Sequence, residues 1–156
     1  MSEPTRVWGL TLWRPWSCAI AHGSKRIENR PWRPPTSVLG QLLALHAGGR
    51  WDEEGAEYVS RLHPELPGKP AWTQRGIVAV ARLVSFKPAR LPHEVLEAKD
   101  GDARWEFGPW CWCLDQVLAL ETPIPALGRQ KLWGLPGAVQ ADLLTRWRKR
   151  FDPRAP

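Results

Sequence analysis

GLTLWRPWSCAIAHGSKRIENRPW, residues 9 to 32, concentrates turn signals, tryptophans, cations and a single carboxylate in one short run. Leu10 and Leu12 alternate with Thr11 and Trp13, which is the period of a half-buried strand. Pro15 follows at a position where the first residue of a helix tolerates a missing N–H. Ser17, Cys18, Ala19, Ile20 and Ala21 are small or apolar, so this short helix can lie close against a sheet, and Gly23 is expected to close it with a positive φ. Lys25 to Arg30 reads as a second strand. Alternation puts Arg26, Glu28 and Arg30 on one face and Lys25, Ile27 and Asn29 on the other, less strictly near the Gly23 turn.

Beyond Trp32, the run Arg33-Pro34-Pro35-Thr36 loses two backbone donors in succession and reads as loop. Leu39 to His46 is a continuous apolar strand, expected to be buried on both faces and to end at His46, before Gly48-Gly49. Trp51 to Leu62 fits a helix with Asp52, Glu53 and Glu54 in its first turn and Arg61 in its last, each sign where the helix dipole favours it. His63 to Arg75, with Pro64, Pro67, Gly68 and Pro70, reads as an exposed loop able to rim a pocket. Gly76 to Phe86 is the most strand-like run, Leu91 to Ala98 a short helix, and Asp100-Gly101-Asp102 a turn. Trp105 to Leu120 returns to strand until Pro123 and Pro125 stop it, and Ala138 to Arg150 is an amphipathic helix with a basic end. With no internal repeat or linker, residues 1–156 read as one α+β domain with a curved sheet of five to six short strands and small flanking helices.

The central run resembles the ASCH domain, the activating-signal-cointegrator homology family of the PUA-like superfamily. That family's pattern is a strand, Gln-Pro-Trp or a variant, a small-residue helix, then Gly-x-Lys-x-x-Glu-x-Arg-x-Trp. The chain has Arg14-Pro15-Trp16, followed by Gly23-Ser24-Lys25-Arg26-Ile27-Glu28-Asn29-Arg30-Pro31-Trp32. Gly40 to Ala47, Gly76 to Val84, Trp110 to Ile124 and Gly128 to Leu135 resemble the family's later strands and closing segment, so the resemblance covers nearly the whole chain. Arg14 departs from it, standing where many members carry Gln. The resemblance implies a PUA-like β-barrel, with the motif positions lining a cleft that holds a base or nucleotide.

The balance of 22 Lys and Arg against 16 Asp and Glu gives a formal charge of +6 and a pI near 9.7, the electrostatic signature of a nucleic-acid partner. Charge alone fits a solvated basic surface equally well. The 11 tryptophans favour the first reading, since a Trp beside cations is what base stacking uses. Met1 to Arg6 has no apolar run and no stretch is long enough to span a bilayer, so no signal peptide or membrane span is expected. The odd count of 3 cysteines reads as thiols in a reducing, cytoplasmic compartment. The preference for Arg over Lys suggests a GC-rich bacterial or phage genome, and the domain is expected to act as a monomer.

Lys25, Glu28 and Arg30, flanked by Arg14, Trp16 and Trp32, form the candidate binding constellation, with His46 beside it. Arg30 or Arg14 can hold a phosphate or base edge bidentately, Glu28 can accept from an exocyclic amine, and a Trp can stack. At least one of Trp16 and Trp32, each next to a proline and a cation, is expected to stack or line the cleft. The alternative is a simple ion pair between Glu28 and Arg26 or Arg30. The favoured partner is RNA or single-stranded DNA over intact duplex. A hydrolase is the runner-up: one ASCH-like branch deacetylates acetylcytidine with a Lys, a Thr three residues on and a Glu elsewhere. Lys25 matches that pattern, Glu28 stands at the Thr position, and Glu94 or Glu97 are the later candidates. Ribonuclease action would use His22, His46 or Glu28 as acid and base. Glu28 is expected to raise the Lys25 pKa and so disfavour attack by its amine. A protein-interaction module with exposed tryptophans is the third class.

Cys18 and His22, four apart, with Cys111 and Cys113, could make a four-ligand zinc site, but their apolar neighbours favour core thiols, so no metal or cofactor is expected. Arg146, Arg148, Lys149 and Arg150 read either as an extended phosphate footprint or as an ordinary solvated helix end.

Overall fold

A computed structural model describes residues 1–66, 72 and 74–154. The expected pocket-rimming residues Pro67, Gly68 and Pro70 lie outside the described residues. The strands are β1 (Val7–Arg14), β2 (Ile27–Arg30), β3 (Leu42–Trp51), β4 (Gly76–Pro88), β5 (Trp110–Ile124) and β6 (Leu132–Gly134). The helices are α1 (Trp16–Ala21), α2 (Glu53–Leu62), α3 (Pro92–Glu97) and α4 (Gly137–Phe151), with single 3-10 turns at Thr36–Val38 and Ala103–Trp105. The strands form one mixed sheet in the order β2-β5-β4-β3-β1-β6, curled into half a barrel. Only the β1–β3 pair is parallel; the α+β class read from the sequence is the one observed.

β3 is central, and its alternation explains why the sequence is apolar throughout. Leu43 and Leu45 pack with Leu10, Leu12 and Ile20 on one face. Leu42 and Ala44 pack with Val7, Ile77, Leu143 and Trp147 of α4 on the other. In α4 the buried positions Leu143, Leu144 and Trp147 follow helical spacing. A third cluster joins α1, α2 and the 3-10 turn: Ala19, Ile27, Val59, Trp105 and Cys111. Cys18 and Cys111 are buried free thiols, as read from their apolar neighbours. Among the described residues no helix is long and apolar enough to cross a membrane, and no cluster of ligating side chains could hold a metal ion.

Several local expectations are corrected. Gly23 does not take a positive φ; its constraint is crowding, since an added Cβ would come within 2.7 Å of the Ala19 carbonyl oxygen. Pro15 occupies the position before the first helical residue. The strand expected at Lys25 begins at Ile27, so Lys25 escapes the strict alternation. Gly48-Gly49 does not end β3. Leu12 pairs with Ala47 and Arg14 with Trp51, leaving Gly48, Gly49 and Arg50 to oppose Trp13 in a bulge. Trp51 therefore belongs to β3, and α2 starts after Asp52, whose carboxylate accepts the Gly55 N–H at 2.9 Å as an N-cap. Trp105 lies in a 3-10 turn before β5. Pro123 is absorbed in the irregular stretch between the Ala79–Ala119 and Ile77–Ile124 pairs, where its missing N–H breaks no ladder bond.

Candidate functional site

The Gly-x-Lys-x-x-Glu-x-Arg run folds into a closed electrostatic unit. Lys25 is 1% exposed and Glu28 7%. The Lys25 Nζ lies 3.5 Å from Glu28 Oε1, donates to the Ile27 carbonyl, and sits 5.6 Å from the centre of the Trp16 ring. The other carboxylate oxygen, Oε2, accepts from Arg30 Nη2 at 2.9 Å, and the same nitrogen donates to the Thr11 carbonyl at 2.8 Å. Burial pushes the Lys25 ammonium below the ordinary lysine value; the Glu28 carboxylate opposes that shift without reversing it. The net rise expected from Glu28 is thus corrected, because desolvation of a fully enclosed ammonium outweighs one carboxylate.

The remaining motif residues are structural in their contacts. The Trp16 indole N–H donates to Asp52 Oδ2 at 2.9 Å, tying α1 to the start of α2. Trp32 meets Trp112 edge-on at 4.8 Å, and its carbonyl accepts the Trp112 indole N–H at 3.1 Å. Arg14 Nη2 donates to the Gly49 carbonyl at 3.0 Å. Neither Trp16 nor Trp32 lines the large cleft, contrary to the expectation that at least one would. Of the candidate acids, Glu94 accepts the Leu91 N–H at 3.0 Å and so caps α3.

The cleft lies next to this unit, where β1 and β3 end and the segment between β5 and β6 crosses them. It has a volume of about 730 Å³. Arg30 and His46 reach it from the sequence-derived set. Arg50, Arg75, Arg129 and Lys131 complete a wall of cations, and no carboxylate among the described residues lines it. Among the described residues none of these four forms an ion pair. Trp13, 49% exposed, stands in the cleft with the Arg50 guanidinium 5.1 Å from its ring centre.

The bulge is what aims these groups. Three residues of β3 against one of β1 push Arg50 out over Trp13, while Arg75 approaches so closely that a Cβ on Gly49 would stand 3.1 Å from its Nη2. On the opposite wall Gly128 presses onto Thr11 and His46, where a Cβ would come within 2.7 Å of both. Buried His46 is engaged on both nitrogens: Nε2 donates to the Ala126 carbonyl at 2.8 Å, and Nδ1 lies 3.3 Å from the Thr11 hydroxyl. It anchors the crossing segment from beneath. Lys131 holds a left-handed φ of 57°, a costly conformation for a lysine, and such strain collects at binding sites.

Trp13, Arg50, Arg75, Arg129 and Lys131 were not singled out by the sequence. A signal existed in Gly48-Gly49-Arg50 and Gly128-Arg129-Gln130-Lys131, two runs in which glycine is followed by cations, but nothing in the linear order shows that they face each other. The basic cluster of α4 lies at the other end of β1. Arg148 pairs with Glu3 at 2.9 Å and donates to the Pro4 carbonyl, and Arg146 pairs with Asp142 at 2.9 Å. No family model matches the chain, and no curated protein matches it.

Proposed function

We propose that the chain is a nucleic-acid-binding domain of the ASCH, PUA-like kind that takes a single strand of RNA or DNA, with its phosphates along the cationic cleft and a base against Trp13. The observation that carries this reading is the gathering of Arg50, Arg75, Arg129 and Lys131, beside the Glu28-paired Arg30, in one concavity that no carboxylate among the described residues lines. Uncompensated cations at close quarters repel one another, and a polyanion removes that cost while releasing its own counterions. Trp13 supports single strands over duplex, since a stacking platform needs a base whose face is free. The motif unit supports the reading from behind: Lys25 and Glu28 are positioning residues that orient Arg30 toward the cleft. The hydrolase alternative fares worse, because an amine 1% exposed and donating to a backbone carbonyl is not offered to a substrate. The buried thiols Cys18 and Cys111 suit a reducing cytoplasm.

The test is a titration of RNA, single-stranded DNA and duplex DNA of matched length at two salt concentrations, with wild type and an Arg50→Ala, Arg75→Ala, Arg129→Ala, Lys131→Ala variant. Single strands should bind wild type best, and the variant should lose roughly 3 units of salt slope, at about 0.7 per phosphate contact, with its melting transition kept. Salt-insensitive binding, or an unchanged slope in the variant, would remove the cleft from the interface.

A further inference from the structure

The turn between α1 and β2 carries Ser24, and the residue that ends α2 is His63, whose N–H donates to the Val59 carbonyl at 2.8 Å. Their side chains meet. Ser24 Oγ lies 2.8 Å from His63 Nε2, and the other ring nitrogen, Nδ1, lies 2.7 Å from Glu65 Oε1. Hydroxyl, imidazole and carboxylate thus stand in line at hydrogen-bond distance, in the order a base-activated nucleophile requires. None of the three borders the cationic cleft; Ser24 precedes β2, and Arg30 reaches that cleft from the strand's other end.

Hydrogen bonding fixes the tautomer of the ring. The backbone N–H of Ser24 also donates to His63 Nε2, at 3.1 Å. A backbone amide can only donate, so Nε2 carries the lone pair and the ring proton sits on Nδ1, donating to Glu65. In this tautomer Nε2 is able to take the Ser24 hydroxyl proton. The ring is also held in place: it lies nearly parallel to the fully buried Trp105, with 10° between the planes and 5.8 Å between the centres. Gly23 makes room for it, since a Cβ there would stand 3.1 Å from His63 Cδ2 and 3.2 Å from Nε2. Glu65 is charged at neutral pH, because its own backbone N–H and then His63 hold its carboxyl below the ordinary range. Ser24 itself is exposed.

We infer that Ser24 is a nucleophile activated by His63 and Glu65, and that it accepts the acyl group of an ester with a weakly basic leaving group, a thioester or an aryl ester. This activity is separate from nucleic-acid binding. In the step, Nε2 takes the hydroxyl proton, Oγ bonds to the acyl carbon, the bond from that carbon to the leaving group breaks, and the imidazolium returns the proton to the departing thiolate or phenolate. Water, with Nε2 again as base, then frees Ser24 and releases the carboxylic acid. Glu65 is a positioning residue that holds the ring and its tautomer. The class of leaving group follows from the neighbouring amides. Gly23 and Lys25 donate to the Ala19 carbonyl at 3.1 and 3.3 Å, and Ser24 donates to His63. These three N–H groups are engaged and form no oxyanion hole, so the site suits acyl carbons whose leaving group departs readily and not amides.

The experiment uses the full chain and p-nitrophenyl acetate as the acyl donor. Wild type should release p-nitrophenol about a hundredfold faster than Ser24→Ala, and peptide mapping after an acid quench should place the acetyl group on Ser24. The Ser24→Ala variant keeps the backbone N–H that holds His63, so its fold is preserved. Glu65→Gln should slow release about tenfold or more, and Glu65→Asp, which restores a carboxylate, should recover part of that loss. Equal release by wild type and Ser24→Ala, or acetyl groups found only on other residues, would overturn the nucleophile. A rate unchanged in Glu65→Gln, or reduced alike in both Glu65 variants, would overturn the role of Glu65.

Discussion

Two groups of charges stand side by side and obey opposite rules. Around Glu28 the cations Lys25 and Arg30 are enclosed, matched to a carboxylate and hydrogen-bonded to backbone carbonyls. Across Arg30, the groups on Arg50, Arg75, Arg129 and Lys131 are exposed and paired with no carboxylate among the described residues. Charge in the first group is internal to the fold, where desolvation must be offset by partners; in the second it faces water and is available to a ligand. Arg30 belongs to both, held by Glu28 on one side and bordering the cleft on the other. A run dense in charged residues therefore need not leave any charge uncompensated.

The largest effect that would sharpen this contrast comes from Glu28→Ala. It leaves Lys25 buried without its carboxylate and frees Arg30, and removing one partner of a buried pair costs about 3–5 kcal/mol. Urea unfolding measures it, with Glu28→Gln expected to lose less because the amide still accepts from Arg30. A stability change below about 0.5 kcal/mol, the size typical of surface substitutions, would break the distinction between the two groups.

Next is the pH dependence of stability. The folded pKa of Lys25 is lowered, so the unfolded chain binds more protons and stability rises with pH toward the ordinary lysine value of 10.5. Cys18 acts in the opposite sense: its thiol is pushed up to about 11 from 9.0, so its contribution is lost as pH climbs between those values. The two are separated by subtracting the profile of Lys25→Met from that of wild type. The difference should grow in favour of wild type as pH rises toward 10.5, and a flat difference would mean that Lys25 stays fully charged in the fold.

The smallest expected effect is that of α4. Arg146→Ala, Arg148→Ala and Arg150→Ala together should leave the salt slope for nucleic acid unchanged, because Arg146 and Arg148 are already paired within the chain at the far end of β1. A slope reduced by about 2 units, as three phosphate contacts would require, would extend the interface along that helix.

The alternation of Leu10 and Leu12, the unbroken apolar run of β3 and the helical spacing of Leu143 and Trp147 determined strands, helix and α+β class from the sequence, because each pattern expresses a local period against a core. Arg30 and His46, two of the candidate binding residues named from the sequence, both border the cleft. Burial of Lys25, the bulge at Gly48-Gly49 and the meeting of Arg50 and Arg75 with Arg129 and Lys131 were decided by tertiary structure alone. Those cations come from β3, the approach to β4 and the segment before β6, stretches far apart in the chain. Their nearness follows from a sheet order and a register shift, both set by the summed packing of the whole core and neither encoded in the residues beside them.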